Sequence, residues 1–221
     1  MRNLSVFAKY WEPGQVKTRL ARDIGDVGAA ELHREFLATT LARIGNAGDA
    51  RTIVFTPQEM EGAFADLAGP AWRRESQSRG TLGDRLKAHL ANQWRAGATN
   101  CLILGADCPH LPLEAIDEAF QRLETHDAVL GPSDDGGYWL LGLHRMLPIF
   151  DDIAWGTETV FQTTIDRLRA QNRRVHILPN CFDIDTSRDL VRLRSEIPLS
   201  MPNDDHLKKL GGAIARILAD R

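Results

Sequence analysis

The sequence predicts an α/β protein: a single-domain, Rossmann-like α/β/α sandwich around a mostly parallel central sheet. Three observations predict it. Cys101-Leu-Ile-Leu104 is an unbroken apolar run closed by Gly105, the pattern of a strand buried on both faces of a parallel sheet. β-prone segments alternate with helical periodicity along most of the chain, which builds βαβ units. Asp107 follows the central run, where open α/β sheets bind their ligands, although a lone aspartate there is by itself better read as capping the following turn.

The 221 residues, 43% of them hydrophobic, suffice for one substantial core. A net charge of −3 and a pI of about 6.2 lack the basic footprint of a nucleic-acid binder. No apolar run approaches the ~18 residues of a membrane span, and the stretch Leu4–Ala8 is too short for a signal peptide. Cys101, Cys108 and Cys181 show no Cys-x-x-Cys spacing, which disfavours a disulfide framework or a zinc site. A cytoplasmic protein without nucleic-acid or membrane partners is expected. The oligomeric state is not legible.

Leu4–Ala8 reads as the first strand. Leu32, Phe36, Leu37, Leu41 and Ile44 recur at helical spacing over residues 31–47, ended by Gly48. Arg51–Thr56 is a β-branched strand, and Pro57 opens a helix carrying Met60, Phe64 and Leu67. Residues 72–76 form a short strand. Leu82, Leu86, Leu90 and Trp94 mark the next helix. After the central strand, Pro112 opens a helix with Leu113, Ile116, Phe120 and Leu123. Residues 127–132 are a strand. Val160, Phe161, Ile165 and Leu168 form a helix with Thr157 as its cap, residues 174–179 another strand, and Leu207 to Leu218 the last helix.

Four loops carry chemistry. In Lys9–Leu20, a Pro13-Gly14 turn precedes Lys17 and Arg19, with Thr18 able to cap a helical turn. Cations beside a helix start hold phosphates, but the spacing suits a solvated basic loop equally. In residues 77–85, Gly80 and Gly83 allow close approach to a ligand, and a base or ribose contact through Gly80, Thr81 and Gly83 is open. Asp84 suits the first turn of a helix. Ser133-Asp-Asp-Gly-Gly137 holds more carboxylate and glycine than a hairpin needs; beside Tyr138 and Trp139 it favours a polar ligand site. In residues 182–190, Asp183 and Asp185 lie two apart and share a face if extended. Thr186 or Ser187 then caps a helix with Asp189 in its first turn.

If the strands before Asp107 and Asp185 are neighbours, the two carboxylates converge. Hard oxygen ligands without supporting His or Cys suit Mg²⁺ or Mn²⁺, with a diphosphate completing the shell. Lys17 and Arg19 then oppose the phosphates, as in metal-assisted transfer at a nucleotide.

Four ordered motifs carry a resemblance covering almost the whole chain. They are Phe7-Ala-Lys9 with Pro13-Gly14-x-Val16-Lys17-Thr18-Arg19-Leu20; Gly105-x-Asp107-Cys108-Pro109-x-Leu111; Gly131-Pro132-x-x-Asp135-Gly136-Gly137-Tyr138; and Asp183-Ile184-Asp185-Thr186-x-x-Asp189-Leu190. The chain resembles a glycosyltransferase-A-like family of mostly uncharacterised proteins within the nucleotide-diphospho-sugar transferase superfamily, some described as arsenosugar-biosynthesis glycosyltransferases. More distantly it is similar to molybdenum cofactor and 2-phospho-L-lactate guanylyltransferases.

The resemblance implies a nucleotide-diphospho-sugar transferase fold and Mg²⁺ or Mn²⁺ at Asp107 and Asp185. It implies nucleotide contacts at Ala8, Lys9, Gly14, Lys17, Arg19 and Asp107, with the base approached by Gly80, Thr81, Leu82 and Gly83. Substrate contacts fall to Asp134, Asp135, Gly136, Gly137, Tyr138, Trp155 and Glu158. Asp107, Asp135 and Lys17 are the implied catalytic residues; Asp135 is the candidate base, with Asp134 and Glu158 as rivals. Two departures stand out. Trp11 replaces a common proline, and Ala154-Trp155-Gly156-Thr157 replaces Pro-Trp-Ser-Thr, losing a hydroxyl. The expected function is glycosyl transfer from a nucleotide-diphosphate sugar to a small-molecule acceptor. The alternative is nucleotidylyl transfer from a nucleoside triphosphate to a phosphorylated small molecule, releasing pyrophosphate. A catalytically silent nucleotide-binding protein is the third reading.

Overall fold

Strand and helix alternate regularly up to Arg122, and then the chain departs from that rule. The computed structural model describes residues 1–219. Strands β1 (Arg2–Lys9), β2 (Ala50–Thr56), β3 (Arg73–Ser76) and β4 (Asn100–Gly105) are joined through helices α1 (Thr18–Arg43), α2 (Glu61–Ala68) and α3 (Leu82–Arg95). Helix α4 (Leu113–Arg122) leads to β5 (Ala128–Pro132), which turns directly into β6 (Tyr138–Leu143). Helix α5 (Val160–Ala170), β7 (Val175–Ile177), α6 (Ser187–Ser200) and α7 (Asp205–Ala219) complete the chain.

The seven strands form one sheet in the order β3-β2-β1-β4-β6-β5-β7. β1, β2, β3 and β4 pair in parallel, as do β5 and β7, whereas β6 is antiparallel to both neighbours. The sandwich is therefore mostly parallel, as expected. One core packs Leu4, Val6 and Ile53 of the sheet against Leu37, Leu41 and Phe120. The opposite face packs Ile103 and Leu141 against Leu90 and Leu168. A third cluster joins α1, α6 and α7 through Leu32, Phe36, Leu193 and Ile214. Among the described residues, no helix is long and apolar enough to cross a membrane.

Three expectations are corrected and one is extended. Ser133–Gly137, expected at a polar ligand site, is also a hairpin turn: Pro132 pairs with Tyr138, and Gly136 adopts φ 84°. The apolar run after it becomes β6, inserted between β4 and β5, because its leucines fill both sheet faces. Helix α1 begins at Thr18, well before residue 31, and is interrupted at Gly25 (φ 71°, ψ 157°); buried Leu20 and Ile24 extend its apolar stripe, and it ends at Arg43, short of Gly48. Thr18 does not cap it. The capping position is Lys17, left-handed at φ 48° with no side-chain cap, because that side chain is drawn elsewhere. Thr157 does not cap α5; Thr159 occupies that position, while Thr157 Oγ1 donates to the Ala154 carbonyl at 2.8 Å.

One buried network has the outline of a catalytic triad. His89 bonds Glu75 through Nδ1 at 2.9 Å and Ser5 through Nε2 at 2.7 Å. Ser5 is 1% exposed and donates to Asn3 Oδ1 at 2.8 Å. No substrate reaches that hydroxyl, so the network is a satisfied polar layer between β1 and α3.

Candidate active site at the carboxyl ends of β1 and β4

β1 leads to β2 and β3 on one side, while β4 pairs on its other side. This reversal is the position where open α/β sheets hold ligands. Lys17 stands just beyond β1 and Asp107 just beyond β4. Lys17 Nζ lies 2.5 Å from Asp107 Oδ1 and 2.9 Å from Asp185 Oδ1. The lysine is 3% exposed and its partners are 41% and 36% exposed. The cation thus sits beneath two carboxylates that face solvent. Burial disfavours the charged ammonium, but Asp107 and Asp185 outweigh it and hold its pKa above the usual value. Burial likewise opposes charge on Asp107, and Lys17 and His33 overcome it, holding that carboxyl well below the usual range.

The convergence does not arise as the strand pattern implied. β7 is separated from β4 by β5 and β6. The chain after β7 instead crosses the sheet end. Cys181 N–H donates to the Pro132 carbonyl at 3.1 Å, and Ile184 N–H to that of Asp107 at 3.1 Å. Thr186 and Asp189 then form a reciprocal capping box at the start of α6, and Asp189 also accepts from Asp185 N–H at 3.2 Å. The turn holding Asp185 is fixed from both sides. Ile184 is fully buried, so Asp183 and Asp185 both line one cleft, as their spacing suggests.

That cleft has a volume of about 260 Å³. Leu82, Gly105, Asp135, Gly137, Tyr138 and Trp155 are among its lining residues. Asp183 lies at its base, accepting bonds from Ser133 Oγ and from Cys108 Sγ at 3.1 Å. Burial pushes its carboxyl up to about 6, against the Ser133 bond and with the Asp107 charge. His33 Nε2 donates to the Lys9 carbonyl at 3.1 Å, and its Nδ1 lies 3.6 Å from Asp107 Oδ1.

Residues 40–157 match the family model DUF2064, uncharacterized proteins conserved in bacteria. The chain belongs to DUF2064. The DUF2064 match contains Asp107, the hairpin turn and Trp155, whereas Lys17, Asp183 and Asp185 lie outside it. A crystal structure of a Desulfovibrio desulfuricans G20 protein, provisionally assigned as a nucleotide-diphospho-sugar transferase, superposes with a TM-score of 0.89 at 31% identity, covering 99% of this chain and 97% of that one. A 3-phospho-D-glycerate guanylyltransferase of Phenylobacterium zucineum (strain HLK1) is 32% identical over 136 residues, 60% of this chain and 62% of that protein. The match therefore spans about three fifths of that relative. The fold also matches Rv0371C of Mycobacterium tuberculosis H37Rv, solved in complex with manganese, with a TM-score of 0.51 at 16% identity over 86% of this chain and 96% of that one. The fold is that of nucleotide-diphospho-sugar transferase-like structures.

In this DUF2064 chain the sequence-derived site residues divide into two sets. Lys17, Asp107 and Asp185 meet; Leu82, Asp135, Gly137, Tyr138 and Trp155 share the cleft with the two aspartates. Tyr138 offers its ring, since its hydroxyl is buried. Arg19 is 70% exposed and 4.0 Å from Asp185 Oδ2. Other residues are engaged elsewhere. Asp134 accepts from Arg192 at 2.6 Å and from Asn180, turned from the cleft. Glu158 meets the turn through its backbone: a Cβ on Gly136 would lie 2.1 Å from its carbonyl oxygen. Thr81 caps α3 in a box with Asp84. A Cβ on Gly83 would lie 2.7 Å from the Phe150 carbonyl oxygen, so that glycine serves loop packing. Ala8 is buried and its carbonyl accepts from Gln77 at 3.2 Å. Lys9 donates to the Gln15 carbonyl at 2.8 Å, and Gly14 supplies a left-handed turn at φ 78°.

Three residues at the candidate site were given no role in it by sequence reasoning. Asp183 was visible through its spacing from Asp185. Cys108 lay inside a noted motif. His33 carried no signal, because it sits within an ordinary helical stripe.

Among the described residues, no group of three or more His, Cys, Asp and Glu side chains forms a metal-holding cluster. Asp107 Oδ1 is buried although its side chain is 41% exposed, so its exposure lies with Oδ2. Two carboxylates presenting outward oxygens fit the binding mode of Mg²⁺, which takes one or two carboxylates plus substrate phosphates.

Proposed function

We propose that this chain is a metal-assisted transferase that moves a nucleotidyl group from a nucleoside triphosphate to a small-molecule acceptor. The observation that carries the proposal is the Asp107–Lys17–Asp185 cluster at the sheet's switch point. The guanylyltransferase name of the Phenylobacterium relative supports nucleotidyl over glycosyl transfer. In this reading the acceptor oxygen bonds to the α-phosphorus, the α–β bridging P–O bond breaks, and pyrophosphate leaves. Asp107 and Asp185 would hold Mg²⁺ or Mn²⁺, which neutralises phosphate charge when bound; the manganese complex of Rv0371C supports that choice. Lys17 keeps the two carboxylates together and offsets part of their charge. Arg19, exposed at the rim, contacts phosphates. Asp135 accepts the acceptor's proton.

Glycosyl transfer from a nucleotide-diphosphate sugar is the second reading. The Desulfovibrio likeness over nearly the whole chain and the aromatic wall of Tyr138 and Trp155 favour it. Product analysis separates the two. Triphosphates and nucleotide sugars are each incubated with an acceptor mixture and Mg²⁺ or Mn²⁺. Pyrophosphate release supports the first reading; nucleoside diphosphate release from a sugar nucleotide replaces it with the second.

A further inference from the structure

We infer that the acceptor is an uncharged, hydroxyl-rich molecule rather than a phosphorylated one, and that Asp135 enforces the choice. The inference rests on the transferase reading, in which the nucleotide lies over the ends of β1 and β4 and the acceptor meets the β5–β6 turn.

Four carboxylates, Asp107, Asp135, Asp183 and Asp185, line the cleft, and among the described residues no lysine, arginine or histidine does. Three neighbouring cations are engaged. Lys17 is buried beneath Asp107 and Asp185. Arg192 is bound to Asp134 at 2.6 Å and Glu196 at 2.9 Å, and lies 3.7 Å over the Phe182 ring. Arg19 stands at Asp185 on the α1 side, where the nucleotide phosphates would draw it. A divalent ion at Asp107 and Asp185 would be shared with those same phosphates, leaving Asp135 uncompensated.

A phosphate or carboxylate placed against the turn would meet like charge and no countercharge. A hydroxyl meets an acceptor. Asp135 Oδ1 already takes the Gly137 N–H at 2.8 Å, which orients the carboxylate and leaves Oδ2 for a ligand O–H. The Trp155 and Tyr138 rings in the cleft lining supply apolar surface for the C–H face of a polyol. The Phenylobacterium relative is named for 3-phospho-D-glycerate, which carries both a phosphate and a carboxylate. The two proteins are therefore inferred to differ in acceptor.

The test is a ligand-observed NMR titration in Mg²⁺ with matched probes: glycerol against glycerol 3-phosphate, D-glucose against D-glucose 6-phosphate, and 3-phospho-D-glycerate. It uses the wild type, Asp135→Asn and Asp135→Lys. The phosphorylated probes should bind the wild type at least tenfold more weakly than their sugars. Asp135→Lys should strengthen them at least tenfold, with Asp135→Asn between. Phosphorylated probes that bind the wild type as tightly as their sugars overturn the inference. So does an unchanged affinity in Asp135→Lys, which decides the matter even where no neutral probe binds. Nucleotide-dependent stabilisation on the same samples reports separately on the transferase reading; losing it while the probe ranking persists overturns that reading alone.

Discussion

The N–H of Ile184 donates to the carbonyl of Asp107 at 3.1 Å, stitching together the two loops that carry the outward carboxylates. Because that bond is backbone to backbone, the spacing between Asp107 and Asp185 is set by the main chain. Lys17 fills the gap beneath them. The arrangement is preorganised, so a ligand cation does not have to gather its aspartates.

Lys17→Ala leaves two carboxylates facing each other without their cation. Removing one partner of a fully buried pair costs about 3–5 kcal/mol. Both aspartates here are more than a third exposed, so solvent reduces the expected loss to roughly 1–3 kcal/mol. Urea unfolding with a chelator present measures it, and millimolar Mg²⁺ should recover part of the loss. A variant as stable as the wild type would show that the lysine is not the cluster's counterion.

Asp107→Asn should abolish the Mg²⁺ dependence of nucleotide binding. A ligand at 100 times its Kd raises stability by about 2.7 kcal/mol, which is several degrees in Tm for a chain of this size. The wild type should show that shift with a nucleoside triphosphate only when metal is present. The variant should show a smaller shift, equal with and without metal.

Asp183 gives stability a pH dependence. Its folded carboxyl is pushed up to about 6, above the unfolded value near 4, so folding favours the protonated form. Its contribution is complete below about pH 4 and is lost as pH rises through 6. Asp183→Asn mimics the protonated state. It should stabilise the protein by about 1–3 kcal/mol at pH 8 and by little at pH 4. Denaturant titrations at both values, in chelator, check the sign; a gain confined to acid pH contradicts it.

Gly136→Ala should damage the hairpin far more than Gly137→Ala. At Gly136 a Cβ would lie 2.1 Å from the Glu158 carbonyl oxygen at φ 84°, a backbone clash with no flexible partner to yield. At Gly137 the nearest atom is the Asp135 Oδ1 at 3.1 Å. A loss above about 2 kcal/mol is expected for the first and under about 1 for the second. Thermal melts of the pair decide it.

Thr186→Ala and Thr81→Ala each remove one half of a capping box and should each cost about 1 kcal/mol. Only the first should also weaken metal-dependent nucleotide binding, since Asp189 of that box holds the N–H of Asp185. Equal loss of binding in both variants would break the link between the cap and the site.

The α/β class, the central strand and most helices are local properties, and periodicity reports them. β4 holds four apolar residues in a row, and Leu82 to Trp94 repeat every fourth position. The capping threonines Thr81 and Thr186 were equally legible, since a cap bonds within its own turn. β6 was hidden because its turn sequence also reads as a ligand loop. Only its insertion between β4 and β5, a pairing of distant segments, makes it a strand. For the same reason the sequence did not show that Gly83 and Gly136 admit the Phe150 and Glu158 backbones.

By itself, then, the sequence determined the fold class and the residue types that the site uses: paired carboxylates, a lysine at a helix start, glycine turns. The tertiary structure alone decided which of them meet. Asp107 and Asp185 lie after strands that are not neighbours, and a return segment across the sheet end joins them. Asp134 and Asp135 are adjacent in sequence, yet one is bound to Arg192 and the other faces the cleft. Spacing along a chain constrains directions over a few residues. Contact between distant loops depends on how the whole sheet is ordered.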